Sequence, residues 1–148
     1  MTIRKIEKTD KPELLKMMVE FYNSPALLYH TPERVLSRVI DDCTSSPYLT
    51  GYVITCDGEI CAYTMLSLGY STEYGGVSVF MEDLYVRPEY RGRGCGKALI
   101  DRVKTEYGGK AARLRLEVAK DNAAAIALYK RCGFCDIDYK QMSIEFGD

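Results

Sequence analysis

The sequence predicts an α/β sandwich, a mixed β-sheet flanked by helices, and three observations point to it. Runs with strand alternation are interleaved with runs of helical periodicity along the whole chain. The apolar run Val77 to Val86 passes through a glycine-rich stretch into a helix-like run, Ala98 to Tyr107. The chain has 148 residues, 47% of them hydrophobic, which is one domain's length with enough apolar material for a core. There is no linker, repeat or low-complexity segment, so residues 1–148 are expected to form a single domain.

Each element has its own signal. Thr2 to Glu7 alternates as a first strand. Asp10-Lys11-Pro12-Glu13 then supplies a cap, a helix-start proline and an acid three residues on, opening a helix to about Asn23 that buries Leu14, Leu15, Met18, Phe21 and Tyr22. Ser24-Pro25 ends it, and Thr31-Pro32-Glu33 starts a second helix through Val35, Leu36, Val39 and Ile40 to about Cys43. Tyr52 to Cys56, the turn Asp57-Gly58 and Glu59 to Leu68 read as a hairpin. Gly69 to Gly76 is a polar turn before the strand Val77 to Val86. After the third helix come a strand at Arg113 to Val118, a helix carrying Tyr129, and an alternating strand from Asp138 to Phe146. The order is β-α-α-β-β-β-α-β-α-β.

The chemistry concentrates in Val86-Arg87-Pro88-Glu89-Tyr90-Arg91-Gly92-Arg93-Gly94-Cys95-Gly96-Lys97. Glycine permits sharp turns and close backbone approach. The first amides of a helix lack internal partners and sit at the positive end of its dipole, which makes an anion site. Arg91, Arg93 and Lys97 add positive charge, so the loop is expected to hold a phosphorylated ligand. Two common phosphate motifs are excluded by counting. The dinucleotide fingerprint needs glycine where Lys97 stands, and the nucleotide P-loop needs glycine at Arg91 and a hydroxyl at Ala98.

What remains, Arg91-x-x-Gly94-x-Gly96 after a strand ending Val-Arg-Pro, resembles the pyrophosphate loop of the GNAT superfamily, the acyl-CoA-dependent N-acetyltransferases. A second stretch, Asp121-Asn122 through Ala125, Tyr129 and Gly133-Phe134, resembles that family's N-x-x-A-x-x-x-Y-x-x-x-G-F signature. Physically it is one short helix, capped by Asp121 or Asn122 and closed by Gly133, with Tyr129 two turns beyond Asn122 on the same groove. The resemblance spans about residues 50 to 146 and implies a GNAT-like sheet in the order β-α-α-β-β-β-α-β-α-β-β.

Composition narrows the function classes. A net charge of −1 argues against a general nucleic-acid surface. No apolar run is long enough for a membrane span, and Met1 to Lys5 carries no signal-peptide core, so a cytoplasmic protein is expected. Cysteines at 43, 56, 61, 95, 132 and 135 then read as reduced thiols. Cys132-Gly133-Phe134-Cys135 has C-x-x-C spacing without a second pair or a nearby histidine, so no metal site is expected. Cys95, inside the phosphate loop, is expected to be open to alkylation.

The resemblance implies acetyl-CoA as donor and a primary amine of a small molecule as acceptor, attacking the thioester directly in a ternary complex. At pH 7.4 about one lysine-like amine in a thousand is neutral, and reaching that form costs about 4 kcal/mol. A proton acceptor therefore helps. Glu82, in Phe80-Met81-Glu82-Asp83-Leu84-Tyr85-Val86, is the candidate base, water-holder or substrate anchor. Strand alternation sends Glu82 and Asp83 to opposite faces unless a bulge intervenes. Tyr129 matches the family's acid, a donor to the departing thiolate. From a free tyrosine near pKa 10 to a thiolate near 8.5, full proton transfer is about 2 kcal/mol uphill unless the site shifts either value.

The remaining contacts are likewise implied by the resemblance. Backbone groups of Leu84 and Val86 would pair with the pantetheine arm as with another strand, and the Tyr85 amide would polarise the thioester carbonyl. Arg91, Gly92, Arg93, Gly94, Cys95, Gly96 and Lys97 would hold the pyrophosphate, and Asn122 the pantetheine or a nearby phosphate. The Glu82-Asp83-Leu84-Tyr85-Val86 run with Tyr90-Arg91-Gly92 looks like the polyamine and thialysine acetyltransferase branch, where Glu73, Glu82 or Asp83 could pair with a cationic amine. Tyr29 and His30, in the connection between the first two helices, are acceptor-contact candidates. A non-catalytic acyl-CoA-binding module, transfer to protein N-termini or lysines, and a homodimer all stay open.

Overall fold

The computed structural model describes residues 1–147. A five-stranded mixed sheet runs in sequential order: β1 (Thr2–Lys5), β2 (Leu49–Cys56), β3 (Glu59–Ser71), β4 (Gly76–Val86) and β5 (Arg113–Leu116). The first four pair antiparallel and β5 joins β4 in parallel after a helical crossover. Helices α1 (Lys11–Tyr22) and α2 (Glu33–Cys43) cover one face, and α3 (Cys95–Tyr107) covers the other. The short helix α4 (Ala123–Arg131) packs beside α3 through Leu128. No helix among the described residues is long and apolar enough to cross a membrane.

Burial on both faces explains the near-continuous apolar run of the central strands. Alternation sends Val53, Tyr63 and Met65 toward Leu14, Met17, Met18, Leu36 and Ile40 of α1 and α2. Tyr52, Ile54, Leu66, Val79 and Met81 point the opposite way, onto Leu99, Ile100 and Val103 of α3. Each fully buried aliphatic side chain contributes about 1.5–3 kcal/mol. The β2–β3 hairpin turns on Asp57 and Gly58, with φ of 52° and 82°, the pair of positive values a two-residue hairpin turn needs.

Three local expectations change. Asp10 does not cap α1 through its side chain. It is buried, accepts the Glu7 amide at 2.8 Å and takes two hydrogen bonds from Arg4 at 2.8 and 2.9 Å, closing a helical turn at Lys8–Asp10 instead. The strand predicted at Arg113 to Val118 stops at Leu116, because β4 and β5 separate there. The strand predicted at Asp138 to Phe146 is absent, and among the described residues no further strand follows α4. Alternation fails there because neither face is covered: Tyr139, Met142, Ile144 and Phe146 are all exposed.

Candidate functional site

Everything at the site starts from a β-bulge. Asp83 pairs with Met65 and Met81 with Leu66, so Glu82 is the extra residue on β4. The side-chain alternation therefore slips by one. Met81 faces α3, whereas Glu82 and Asp83 both point to the α1 side, where Ser67 donates to Glu82 Oε2 at 2.6 Å and Tyr22 donates to Asp83 Oδ1 at 2.6 Å. Thr64 Oγ1 donates to the Asp83 carbonyl at 2.7 Å and fixes the irregular backbone.

The two neighbouring carboxylates have opposite surroundings. Glu82 is exposed, with Ser67 as its hydrogen-bond donor. Asp83 is 2% exposed and also accepts from Tyr63 at 2.9 Å. Burial outweighs the two tyrosine donors and lifts the Asp83 carboxyl to about 6. Tyr63 and Tyr22 are in turn held protonated, first by burial and then by the Asp83 charge. Phe21 stacks on Tyr85 at 5.5 Å and meets Tyr63 edge-on, enclosing this network in aromatic surface.

Beyond the Met81–Leu116 pair the two parallel strands splay, leaving one backbone edge of β4 from Glu82 to Val86 without a strand partner. The splay is a cleft of about 90 Å³ lined by Glu82, Leu84, Glu117, Asn122, Ala125 and Tyr129, among others. Asn122 caps α4, its Oδ1 accepting the Ala125 amide at 3.3 Å, which settles the choice between Asp121 and Asn122. Tyr129 stands edge-on to Phe134 at 5.8 Å. Its hydroxyl makes no hydrogen bond among the described residues, and burial raises its pKa above the ordinary tyrosine value.

The glycine loop leads from β4 into α3. Gly92 and Gly94 have φ of 75° and 82°, and Gly94 is the N-cap residue, so glycine is needed there for conformation. Gly96 serves packing: a Cβ there would lie 3.0 Å from Leu128 of α4. The basic side chains have partners of their own. Arg91 donates Nε to the Val86 carbonyl at 3.0 Å and lies 5.7 Å from the Tyr85 ring centre. Arg93 covers Tyr90 at 5.3 Å, and Lys97 pairs with Asp101 at 2.5 Å. Cys95 is 3% exposed and packs in the core beneath α3, which corrects the expectation that alkylating reagents reach it.

On the α1 side, where neither α1 nor α2 covers the sheet, lies a second cavity of about 530 Å³. Ser67, Ser78, Phe80, Glu82, Arg115 and Glu117 form its sheet wall and floor, and Gln141 and Met142 of the C-terminal segment close one side. Glu82 and Glu117 line both cavities. Of the acceptor candidates only Glu82 is brought here. Glu73 is engaged by Arg113 at 3.7 Å and Tyr139 at 2.9 Å, Asp83 is enclosed, and Tyr29 and His30 are exposed and line neither cavity. Glu117 and Arg115 were missed, although the alternation Arg113, Arg115, Glu117 puts three charged residues on one face of a strand. Among the described residues no group of three potential metal ligands occurs.

Comparisons agree with this geometry. A thialysine N-epsilon-acetyltransferase from Mus musculus is 28% identical over 97% of this chain and 89% of its own length. A Bos taurus protein of the same name is 35% identical over 60% of this chain, and the match spans 55% of its length. An aminoglycoside N(6')-acetyltransferase type 1 from Klebsiella aerogenes is 26% identical over 91% of this chain and 90% of its own. In fold, a crystal structure described as a possible acetyltransferase from Clostridium difficile 630 superposes with a TM-score of 0.86 at 21% identity, covering 99% of this chain and 98% of that one. An aminoglycoside N-acetyltransferase in complex with CoA superposes at 0.82 with 17% identity, over 99% and 95% of the two chains. Residues 12–134 match the family model of the Acetyltransferase (GNAT) family, and the chain belongs to that family.

Proposed function

We propose that this protein is an acetyl-CoA-dependent N-acetyltransferase that moves an acetyl group to a primary amine of a small molecule by direct attack in a ternary complex. One observation carries the reading: Glu82, set out of strand register by the bulge, lines both the cleft that holds Tyr129 and the larger cavity that adjoins it. A donor in the cleft and an acceptor in the cavity would meet at this residue.

The residues fit the donor. The first amides of α3, opened by Gly92 and Gly94 at positive φ, suit the pyrophosphate, and the unpartnered edge of β4 suits the amide-bearing pantetheine arm. The Val86 carbonyl already accepts from Arg91, so on this edge Leu84 is the more available backbone contact; Arg87 donates its amide to the Cys61 carbonyl, and Tyr85, two residues before it, faces β3 as well, which removes its amide from the role of polarising the thioester. Bound there, acetyl-CoA supplies an activated acyl group. Asn122, with its Oδ1 given to the helix cap, lines the same cleft.

Glu82 takes the acceptor's proton, directly or through water, offsetting part of the roughly 4 kcal/mol needed to neutralise the amine. Ser67 holds that carboxylate in place. Tyr129 donates a hydrogen bond to the developing thiolate. Because burial raises its pKa, full proton transfer becomes more uphill than for free tyrosine, so hydrogen bonding is its main contribution. The cavity of about 530 Å³ suits a small amine better than a folded protein surface, and the thialysine and aminoglycoside acetyltransferase relatives point to the same acceptor class. The reading assigns the activity to the cytoplasm, where reduced thiols persist.

The test is incubation with acetyl-CoA and a pooled panel of diamines, polyamines, amino acids and aminoglycosides, with products read by mass spectrometry. An acetylated amine above background supports the reading. Cofactor binding with no product from any amine would overturn it in favour of a binding module.

A further inference from the structure

We propose that Cys56 and Cys61 are a redox pair, closed to a disulfide by a small peroxide, and that closing it weakens the grip of the glycine loop on acetyl-CoA. The thiol pair stands independently of the proposed reaction, whereas its effect on the loop rests on the donor-site reading above.

The two sulfurs lie 3.0 Å apart on the α3 side of the β2–β3 hairpin. A β-bulge brings them together. Ile54 pairs with Ala62 and Thr55 with Ile60, so Cys61 is the extra residue of β3. Diagonal neighbours across a regular strand pair stand about 7–8 Å apart, beyond the roughly 4.4–6.8 Å between the Cα atoms of a disulfide. Here the sulfurs are already in contact, and a bond of about 2.05 Å needs an approach of only about 1 Å more.

The two thiols have different surroundings. Cys56 is half-buried, within reach of a small reagent, whereas Cys61 is fully buried. Burial first, then the neighbouring Cys56 and Cys95, push the Cys61 thiol up to about 12. Thiolate character and exposure decide which sulfur reacts first, and both favour Cys56. Its thiolate attacks one peroxide oxygen and breaks the O–O bond, leaving a sulfenic acid. The other oxygen departs as water with the Cys56 proton. The Cys61 sulfur then displaces hydroxide from the Cys56 sulfur, and the Cys61 proton leaves with it as a second water. The two sulfurs give up two electrons, which reduce the peroxide. A dithiol reductant reverses the bond by exchange.

The pair also supports the loop. The Cys61 carbonyl accepts the Arg87 amide at 2.9 Å, where the chain leaves β4 for the loop. Tyr90 packs against the same cluster as both thiols, and Arg93 covers its ring. Cys95, the first residue of α3, directs its thiol to the Tyr90 carbonyl at 3.8 Å. Drawing Cys61 toward Cys56 therefore pulls on the residues that set the first amides of α3, the groups suited to the pyrophosphate. Linkage makes the effect reciprocal: a donor that prefers the dithiol form favours that form by the same factor.

The wild type would be treated with hydrogen peroxide, its remaining thiols blocked after denaturation, and the chain cut at Glu59 and mapped by mass spectrometry. Desulfo-CoA, which keeps the phosphates and the pantetheine arm but has no thiol, would be titrated calorimetrically into reduced and oxidised protein. The expected map joins the Cys56 and Cys61 fragments through a bond that dithiothreitol removes. The Kd for desulfo-CoA should be about fivefold or more higher in the oxidised protein. Cys56→Ala should bind it as the reduced wild type does and lose the response to peroxide. Free thiols at both positions after Cys135 has been oxidised would overturn the pair. An oxidised protein with an unchanged Kd, or a Cys56→Ala protein that still loses affinity in peroxide, would overturn the coupling to the loop. Should that variant fail to fold, the wild-type map and the two Kd values decide. A reduced protein that does not bind desulfo-CoA overturns the donor-site reading and the coupling with it, while the mapped bond still decides the thiol pair.

Discussion

The Tyr22 hydroxyl donates a 2.6 Å hydrogen bond to Asp83 Oδ1, tying the last residue of α1 to the bulge of β4. The bond joins the helix layer to the strand segment that carries Glu82, and it does so at a carboxylate whose proton affinity burial has raised.

That raised affinity makes a stability prediction. Asp83 titrates near 6 in the folded protein and near 3.9 when unfolded, so between these values the folded state binds more protons. Stability contributed through Asp83 therefore falls as pH rises from about 4 to about 6, by up to about 3 kcal/mol, and stays level above. Asp83→Asn removes this slope. Urea unfolding at pH 4 and pH 7 should show the variant gaining on the wild type at the higher pH; an equal difference at both would contradict the assignment.

For Tyr129, Tyr129→Phe should lower kcat about 10- to 100-fold while leaving acetyl-CoA affinity within about twofold. Since burial raises its pKa, ionisation of Tyr129 should not cause a loss of rate below about pH 10. Equal turnover at saturating substrate would remove Tyr129 as the donor.

The loop glycines have separable roles. Gly94→Ala forces a Cβ onto a residue at φ 82° and should cost roughly 1–2 kcal/mol. Gly96→Ala meets only the Leu128 terminal methyl at 3.0 Å, which can turn aside, so its cost should stay within about 1 kcal/mol. Denaturation midpoints that rank the two substitutions the other way would refute this division.

The fold was legible wherever one face of an element is buried. The glycine-loop junction and the Asn122–Tyr129 helix could be placed from their capping and closing residues, beside the family resemblance, because local backbone rules govern both. The Asp138 to Phe146 strand could not, because alternation reports a strand only when something covers one face, and Tyr139, Ile144 and Phe146 are uncovered. At the site, Glu82 was legible as a carboxylate near the strand end, whereas its direction depended on a bulge that no residue type announces. The Tyr22–Asp83–Tyr63 network was hidden for a different reason: its members are far apart in sequence and meet only by tertiary packing.

Thiol chemistry offers an independent check of the loop's geometry. Cys135 is exposed, whereas Cys95 is buried, so a small alkylating reagent should label Cys135 first and leave acetyl transfer intact. Rapid labelling of Cys95 in the folded protein would show that the start of α3 is more open than described.

The account turns on Glu82 as the group shared by donor cleft and acceptor cavity, and the pH dependence of kcat/KM for Glu82→Gln tests it most directly. Turnover at neutral pH should fall about 10- to 100-fold, and the variant should recover as pH rises toward the amine pKa of about 10.4, where the acceptor loses its proton unaided. A variant with wild-type turnover and an unchanged profile would contradict the role given to Glu82 and leave the shared position of this side chain without a part in the chemistry.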